Sequence, residues 1–257
     1  MRPDALAATP AARVRRLNAR YRHHGALSVL RGALLDPLVG RVALVSSFGA
    51  DSVVLLHMIS VLRNDLPILF VDTGKMFAET LAYQIDIAAR LGLRDVRTIR
   101  PDPTRLAAHD PEGTLHRRDP DRCCALRKTE PLVRALADFD AWITGRRRHQ
   151  AATRAGLEFF EADAAGRIKI NPLAHWRPGD VRDYIENNAL PRHPLVAKGY
   201  LSIGCAPCTA PVAPGDDPRA GRWPGRRKTE CGIHLGPPPS GPPALPELAT
   251  TKSGETP

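Results

Sequence analysis

The strongest constraint on the fold is an alternation of short apolar runs with helix-periodic ones between Arg41 and Gly145. RVALVSS (Arg41–Ser47) reads as a buried strand, and DSVVLLHMISVL (Asp51–Leu62) carries the apolar spacing of a helix. LPILFVD (Leu66–Asp72) is a second strand, and FAETLAYQIDIAARLG is a helix closed by Gly92. DVRTIR (Asp95–Arg100) and AWITG (Ala141–Gly145) are a third and a fourth strand, separated by a helix that starts near Arg122. Strand and helix in regular alternation predict an α/β fold with a parallel sheet covered by helices. In such a sheet, ligands bind beyond the carboxyl ends of the strands, and the polar motifs of this chain all follow strands.

The flanks read differently. Residues 1–38 form a helical lead-in, with a helix starting near Pro10. A basic, Ala-rich start without an apolar core is no secretory signal, so a cytoplasmic protein is expected. IKINPLAHWRPGDVRDYIENN adds a short strand and a helix, which completes an α/β domain over 39–200. Beyond Pro191, Pro, Gly and Arg accumulate, so 201–235 reads as an irregular segment and 236–257 as a disordered tail. No apolar run approaches the roughly 20 residues of a membrane span. The net charge of +10 attracts anions of several kinds, from nucleic acid to a small phosphorylated substrate, and does not choose among them.

Between the first strand and its helix lies Ser46-Ser47-Phe48-Gly49-Ala50-Asp51-Ser52. A tight turn opening a helix presents free N–H groups within a positive dipole, which suits an anion. Gly49 permits close approach, and Ser46, Ser47 and Ser52 add hydroxyl donors. The loop lacks the Gly-Lys-Ser/Thr ending of an ATPase P-loop. It resembles the SGGxDS loop of PP-loop adenine-nucleotide enzymes, departing from it at Ser47-Phe48-Gly49.

The chain has five cysteines, which divide into two close pairs and a remainder. Cys123-Cys124 open a helix, and Cys205-Ala206-Pro207-Cys208 lies in the irregular segment. Four thiolates from distant stretches suit a zinc ion or an iron–sulfur cluster, and a CxxC alone also suits a redox disulfide. Neighbouring residues ligate one small tetrahedral ion with strain, whereas a cubane offers each its own iron, so the vicinal pair favours 4Fe–4S. Cys231 is left over, beside Arg226, Arg227 and Lys228. A thiolate is favoured next to cations, which makes Cys231 a candidate nucleophile on a flexible, exposed tail.

Together these pieces resemble the adenylyl-sulfate and phosphoadenylyl-sulfate reductase family from about Arg41 to His234. Val71-Asp72-Thr73-Gly74 with Phe77, Glu79 and Thr80 is similar to the family's VDTGxxFPET, with Ala78 in place of proline. Cys123-Cys124-Ala125-Leu126-Arg127-Lys128 and Glu130-Pro131-Leu132 resemble CCxxRKxxPL. Thr144-Gly145 with Arg147, Arg148 and Gln150 resembles TGxRRxQS, with Ala151 for the serine. Lys169, Asn171-Pro172-Leu173, Trp176, Leu190-Pro191, His193-Pro194-Leu195 and Gly199-Tyr200 follow in family order. Ser202 to Thr209, Arg219 to Trp223, and Glu230-Cys231-Gly232-Ile233-His234 close the match.

The resemblance implies a Rossmann-like parallel sheet of the PP-loop adenine-nucleotide (alpha-hydrolase-like) type with an irregular C-terminal tail. It implies one 4Fe–4S cluster on Cys123, Cys124, Cys205 and Cys208, and, from the presence of both pairs, adenosine 5′-phosphosulfate as substrate. The loop serines, Gly49, Asp72, Thr73, Gly74, Thr144 and Gly145 are expected around the nucleotide. Lys128, Arg147, Arg148, Arg219 and Arg222 are expected at the sulfate, with His234 near Cys231. Cys231 would attack sulfur, release AMP and carry a thiosulfonate, which thioredoxin or glutaredoxin reduces to sulfite. No nucleic-acid or membrane partner is expected, and a homo-oligomer is left open. Three other readings stay in view: the 3′-phosphorylated substrate, an ATP-dependent tRNA-thiolating PP-loop enzyme, and a zinc-bearing nucleic-acid binder without catalysis.

Overall fold

The computed structural model describes residues 8–234; the predicted disordered tail, 236–257, lies outside them. Six strands form one sheet in the order β3-β2-β1-β4-β6-β5. They are β1 (Val42–Ser46), β2 (Ile68–Val71), β3 (Val96–Ile99), β4 (Ala141–Ile143), β5 (Phe160–Ala162) and β6 (Ile168–Ile170). All neighbours pair in parallel except β5, which runs antiparallel to β6 at the edge. Central parallel strands are buried on both faces, which explains the unbroken apolar runs of β1, β2 and β4. Strand β5 carries little sequence signal because only three residues pair and their pattern is buried, intermediate, exposed.

The period of two along each strand sorts side chains into two unequal layers. Val42, Leu44, Ile68, Phe70, Ala141 and Ile143 face the larger core. There they meet α1 (Pro10–Tyr21), α2 (Ala26–Leu35), α3 (Ser52–Arg63), α4 (Ala78–Arg90) and the late helix Pro178–Asn187. The N-terminal helices therefore share the core of the sheet. Arg13 on α1 fixes them, its guanidinium donating to the Leu38 and Val39 carbonyls at 2.7 and 3.3 Å. Ala43, Leu69 and Trp142 point to the other face, where Leu132, Leu136 and Ile233 cover them. That thinner layer is where the end of the chain docks.

Phe48 explains how the first loop departs from the glycine-rich pattern. Its φ is +49°, a left-handed conformation that strains any residue with a Cβ. The ring is fully buried and meets Phe70 edge to face at 5.3 Å. Core packing thus offsets a backbone geometry that glycine would adopt freely. Removing the ring but not the Cβ is the worst combination. Phe48→Ala is expected to cost about 3–5 kcal/mol, and Phe48→Gly less than Phe48→Ala, by urea denaturation of the two variants.

His193 joins the segment before the CxxC to α4. Its Nδ1 accepts from the Leu195 N–H at 3.2 Å, so Nε2 carries the proton and faces Thr80 Oγ1 at 3.0 Å. A second proton would oppose the Leu195 N–H. Burial, partly offset by Glu79, lowers the imidazole to about 4. The unfolded chain therefore binds a proton that the folded one refuses between pH 6.5 and 4, and stability falls as pH falls through that window. Thermal denaturation from pH 7 to 5 is expected to show a shallower loss for His193→Gln than for the parent.

Candidate active site

The strand order reverses between β1 and β4, since β1 leads on to β2 while β4 lies on its other side. The loops leaving these two strands diverge there and open a crevice. On the β1 side, Ser46 Oγ accepts the Phe48 N–H at 3.2 Å and Ser52 Oγ accepts the Gly49 N–H at 2.9 Å. These two serines brace the loop while keeping a hydroxyl proton to donate; Ser47 is exposed. On the β4 side, buried Thr144 donates to Asn171 Oδ1 at 2.8 Å, and Gly145 is open to solvent. Arg147 spans the two loops, its Nη2 donating to Asp51 Oδ2 at 2.5 Å.

The β2 loop carries Asp72, Thr73 and Gly74. Asp72 accepts from the Gly74 N–H at 2.9 Å and from Arg100 at 3.1 Å, and Gly74 takes φ +69°, so this turn is self-braced. Thr73 Oγ1 lies 3.2 Å from Cys205 Sγ, and the Ala206 N–H donates to the Lys75 carbonyl at 2.8 Å. The CxxC loop is thereby strapped to the β2 loop, and the irregular segment is held over the sheet.

The vicinal cysteines end a short helix, Pro120–Cys124, that opens on Asp119. A π turn, Ala125–Thr129, follows, in which the Glu130 N–H reaches back five residues to the Ala125 carbonyl. Regular helix resumes at Glu130–Ala135 and packs Leu132 on the thin face of the sheet. Cys123, Cys124, Cys205 and Cys208 all line one cleft, together with Lys75, His116, Arg127, Lys128 and Arg222. None of the five cysteines forms a disulfide. As bare thiols, Cys123 and Cys124 are pushed up by burial to about 11 and about 12. Cys205 is lowered: burial opposes this, but Lys128, Thr73 and Arg222 favour its thiolate more. Among the described residues, no three His, Cys, Asp or Glu side chains converge on the position of a single metal ion. Four sulfurs around a shared basic cleft are a donor set that an iron–sulfur cluster takes, each iron with its own thiolate. A tetrahedral zinc ion takes the same four-thiolate donor set.

Cys231 approaches the same region from the other side. The sequence reading placed it on a flexible, exposed tail among Arg226, Arg227 and Lys228, and the structure corrects this. The segment is docked: Ile233 packs on the thin layer, the Lys169 ammonium donates to the His234 carbonyl at 3.0 Å, and His234 stacks on Trp142 at 5.6 Å. Lys228 turns to Asp121, and Arg226 donates to the Arg117 carbonyl. Lys128 and Arg219 stand within electrostatic reach of Cys231. Lys128 is shared: burial works to lower it, but Cys205 and Cys231 hold it raised.

The expected sulfate-binding arginines divide. Arg147 is buried at the crevice, and Arg222 lines the cysteine cleft against Gly204. Arg219 donates to the Thr229 carbonyl at 2.6 Å. Arg148 is not brought to the site, because its guanidinium donates to the Leu157 carbonyl at 2.7 Å and to Glu158 at 3.0 Å. Its neighbour Arg146 turns inward to Glu161 and Asn171 instead. Arg154 also emerges only from the structure, since no motif flags it, and so does the role of Lys169. Burial, with Arg146 nearby, lowers Lys169 to about 8.

Five side-chain atoms in this region are buried without partners: Nε of Arg146, Arg147 and Arg222, and Nδ1 of His116 and His234. Burying so many cationic donors unpaired is costly unless an anion supplies acceptors. Burial, with Arg146 and Lys169 next, holds His234 well below its usual range, so its ring is neutral. For titration of a nucleoside monophosphate, Arg147→Ala is expected to weaken binding at least about tenfold, through the lost charge-assisted bonds and the unpaired Asp51. Arg148→Ala is expected to leave the affinity within about twofold, as befits an exposed pair.

Known proteins share this sequence pattern and fold. The family profile described as the phosphoadenosine phosphosulfate reductase domain matches residues 41–211. An adenosine 5′-phosphosulfate reductase of Mesorhizobium japonicum is 53% identical over 88% of this chain and 88% of its own length. A phosphoadenosine 5′-phosphosulfate reductase of Gloeobacter violaceus is 44% identical over 76% of this chain and 82% of its own length. The crystal structure of phosphoadenylyl-sulfate reductase from Candida auris, in a phosphate complex, superposes with a TM-score of 0.66 at 29% identity, covering 77% of this chain and 96% of that one. The Candida glabrata FMN adenylyltransferase shares the fold alone, with a TM-score of 0.53 at 17% identity, over 79% of this chain and 74% of its own.

Proposed function

Because the chain belongs to the phosphoadenosine phosphosulfate reductase family, we propose that it reduces adenosine 5′-phosphosulfate to sulfite and AMP through Cys231, with thioredoxin or glutaredoxin as electron donor. The observation that carries this reading is the docking of the Cys231 segment on the thin face of the sheet, within electrostatic reach of Lys128 and Arg219 and next to a crevice where the Nε atoms of Arg146, Arg147 and Arg222 are buried without partners.

The reaction needs negative charge balanced at both ends of a breaking S–O bond. The Cys231 thiolate attacks the sulfate sulfur; the S–O bond to the α-phosphate breaks, and its electron pair leaves with AMP. Cys231 then carries an S-sulfonate group. A thiolate of the donor attacks the Cys231 sulfur, expels sulfite and forms a mixed disulfide, which the second donor thiol resolves. The two donor thiols are oxidised to a disulfide, and the sulfur of the substrate is reduced. The first loop holds the nucleotide phosphate, Arg147 donates to oxygens where phosphate and sulfate meet, Arg222 donates to the oxygens of the sulfate end, and Lys128 steadies the thiolate.

Cys123, Cys124, Cys205 and Cys208 would hold one 4Fe–4S cluster. When bound it supplies a compact charge and a cross-link between the vicinal pair and the CxxC loop. Lys128 stands between that cleft and Cys231, so ordering the cleft orders the cation that the nucleophile needs. The choice of the unphosphorylated substrate rests on the paired cysteines and on the names of relatives at 53% and 51% identity. The same names support a role in sulfate assimilation. Among the described residues no helix is long and apolar enough to cross a membrane.

The test is sulfite release by anaerobically purified protein with thioredoxin, comparing the two adenylyl sulfates. Adenosine 5′-phosphosulfate is expected to be the better substrate, and Cys231→Ser to lose at least about 10³-fold in rate, as removal of a covalent nucleophile does. Preference for the 3′-phosphorylated compound would transfer the chain to the other substrate class. Full activity in Cys231→Ser would end the covalent mechanism.

A further inference from the structure

Glu230 directly precedes the proposed nucleophile, and its environment differs from that of the other acidic side chains in the segment. Arg154 presents Nε and Nη2 to the two carboxylate oxygens at 2.7 Å each. The side chains are only 8% and 9% exposed, and Arg219 stands 3.7 Å away on the same carboxylate. A paired geometry with both partners out of water is the strong form of a charge-assisted bond, and its loss leaves a buried charge without compensation.

The pair does not stand alone. Arg154 Nη1 donates to Gln150 Oε1 at 2.5 Å, and the same oxygen accepts the Arg147 N–H at 3.0 Å. Arg147 in turn holds Asp51 at the start of α3. A continuous run of polar bonds therefore joins the nucleotide loop to the residue before Cys231. Beyond the cysteine the chain is held by different means: the apolar seat of Ile233 and the backbone contact from Lys169. Cys231 is fixed between an ionic anchor on one side and an apolar one on the other. Arg219 ties the ionic anchor to the cysteine, standing 3.7 Å from Glu230 and within electrostatic reach of Cys231.

We propose that the Arg154–Glu230 ion pair is a latch that positions Cys231 for attack. Both are positioning residues. The proposal deepens the reading of Cys231 as the nucleophile and rests on it for the catalytic half, while the latch itself is a statement about the docked segment.

The test uses the full-length, anaerobically purified protein and a bulky maleimide, with labelling of the Cys231 peptide followed by mass spectrometry. Glu230→Gln and Arg154→Lys keep size and are expected to speed labelling of Cys231 about tenfold, as loss of a charge-assisted bond predicts. The reversed pair, R154E with E230R, is expected to return the rate to within about threefold of the parent. In single turnover with adenosine 5′-phosphosulfate, the same single variants are expected to slow sulfonation of Cys231 at least about tenfold. Release of sulfite from the preformed adduct by thioredoxin should not slow. Labelling unchanged in both single variants would overturn the latch. So would sulfonation and sulfite release slowing together in equal measure, which marks a merely structural role. Labelling needs no turnover, so faster labelling in a protein that releases no sulfite from either adenylyl sulfate would leave the latch standing and remove the reductase reading.

Discussion

The site depends on one strap. The Lys75 carbonyl takes the Ala206 N–H, and Thr73 Oγ1 touches Cys205 Sγ. Residues 201–234 have no regular element of their own beyond a single 3₁₀ turn, Ala206–Cys208, so these contacts, with the later seats of Ile233 and His234, bring them to the sheet. With them, the CxxC is set opposite the vicinal pair, Arg222 lies on Gly204, and the remaining chain is delivered to the thin face. Gly204 is needed for that: a Cβ there would stand 2.4 Å from the Arg222 guanidinium. A long irregular segment is thus organised by its contacts with the β2 turn and the cysteine cleft and not by secondary structure, and a bound cluster would act along the same line of contact.

The second constraint is electrostatic. Arg146, Arg147, Arg154, Lys169 and Arg219 crowd a region in which, among the described residues, Asp51, Glu161 and Glu230 pair with the arginines, and Glu161 and Asp163 act on Lys169. The crowding is visible in the lowered Lys169, Arg146 and Arg219, each of them lowered first by burial. A fold tolerates this where an anionic ligand supplies the missing acceptors. Preorganised cations of this kind act without rearranging during the reaction.

The sheet was legible in the sequence wherever burial on both faces forces unbroken apolar runs, as in β1, β2 and β4. It was not legible for β5, whose three residues gain their conformation from pairing with β6 and not from pattern. The two cysteine pairs were legible as pairs from their close spacing, and the structure brings both to one cleft. The arginines were less so. Arg146, Arg147 and Arg148 are identical in chemistry and adjacent in sequence, and only the turn after β4 decides which of them faces the crevice. Arg154 and Glu230 are separated by 76 positions, and a single sequence holds no sign that they meet. The docking of Cys231 escaped for the same reason, since composition describes the segment truthfully as irregular and says nothing about what it packs on.

The π turn between Cys124 and Glu130 has a consequence for how this chain can change. It carries one more residue than a regular helix would need between the cysteine pair and Leu132, and one residue is worth about 100° of rotation. Deleting a residue from Ala125–Thr129 would restore an ordinary hydrogen-bond ladder, yet it would turn the thiols away from the cleft while Leu132 stayed seated on the sheet. The helix therefore cannot gain backbone regularity and keep its chemistry at once. The local optimum for folding and the local optimum for the site lie one residue apart, and the chain occupies the second.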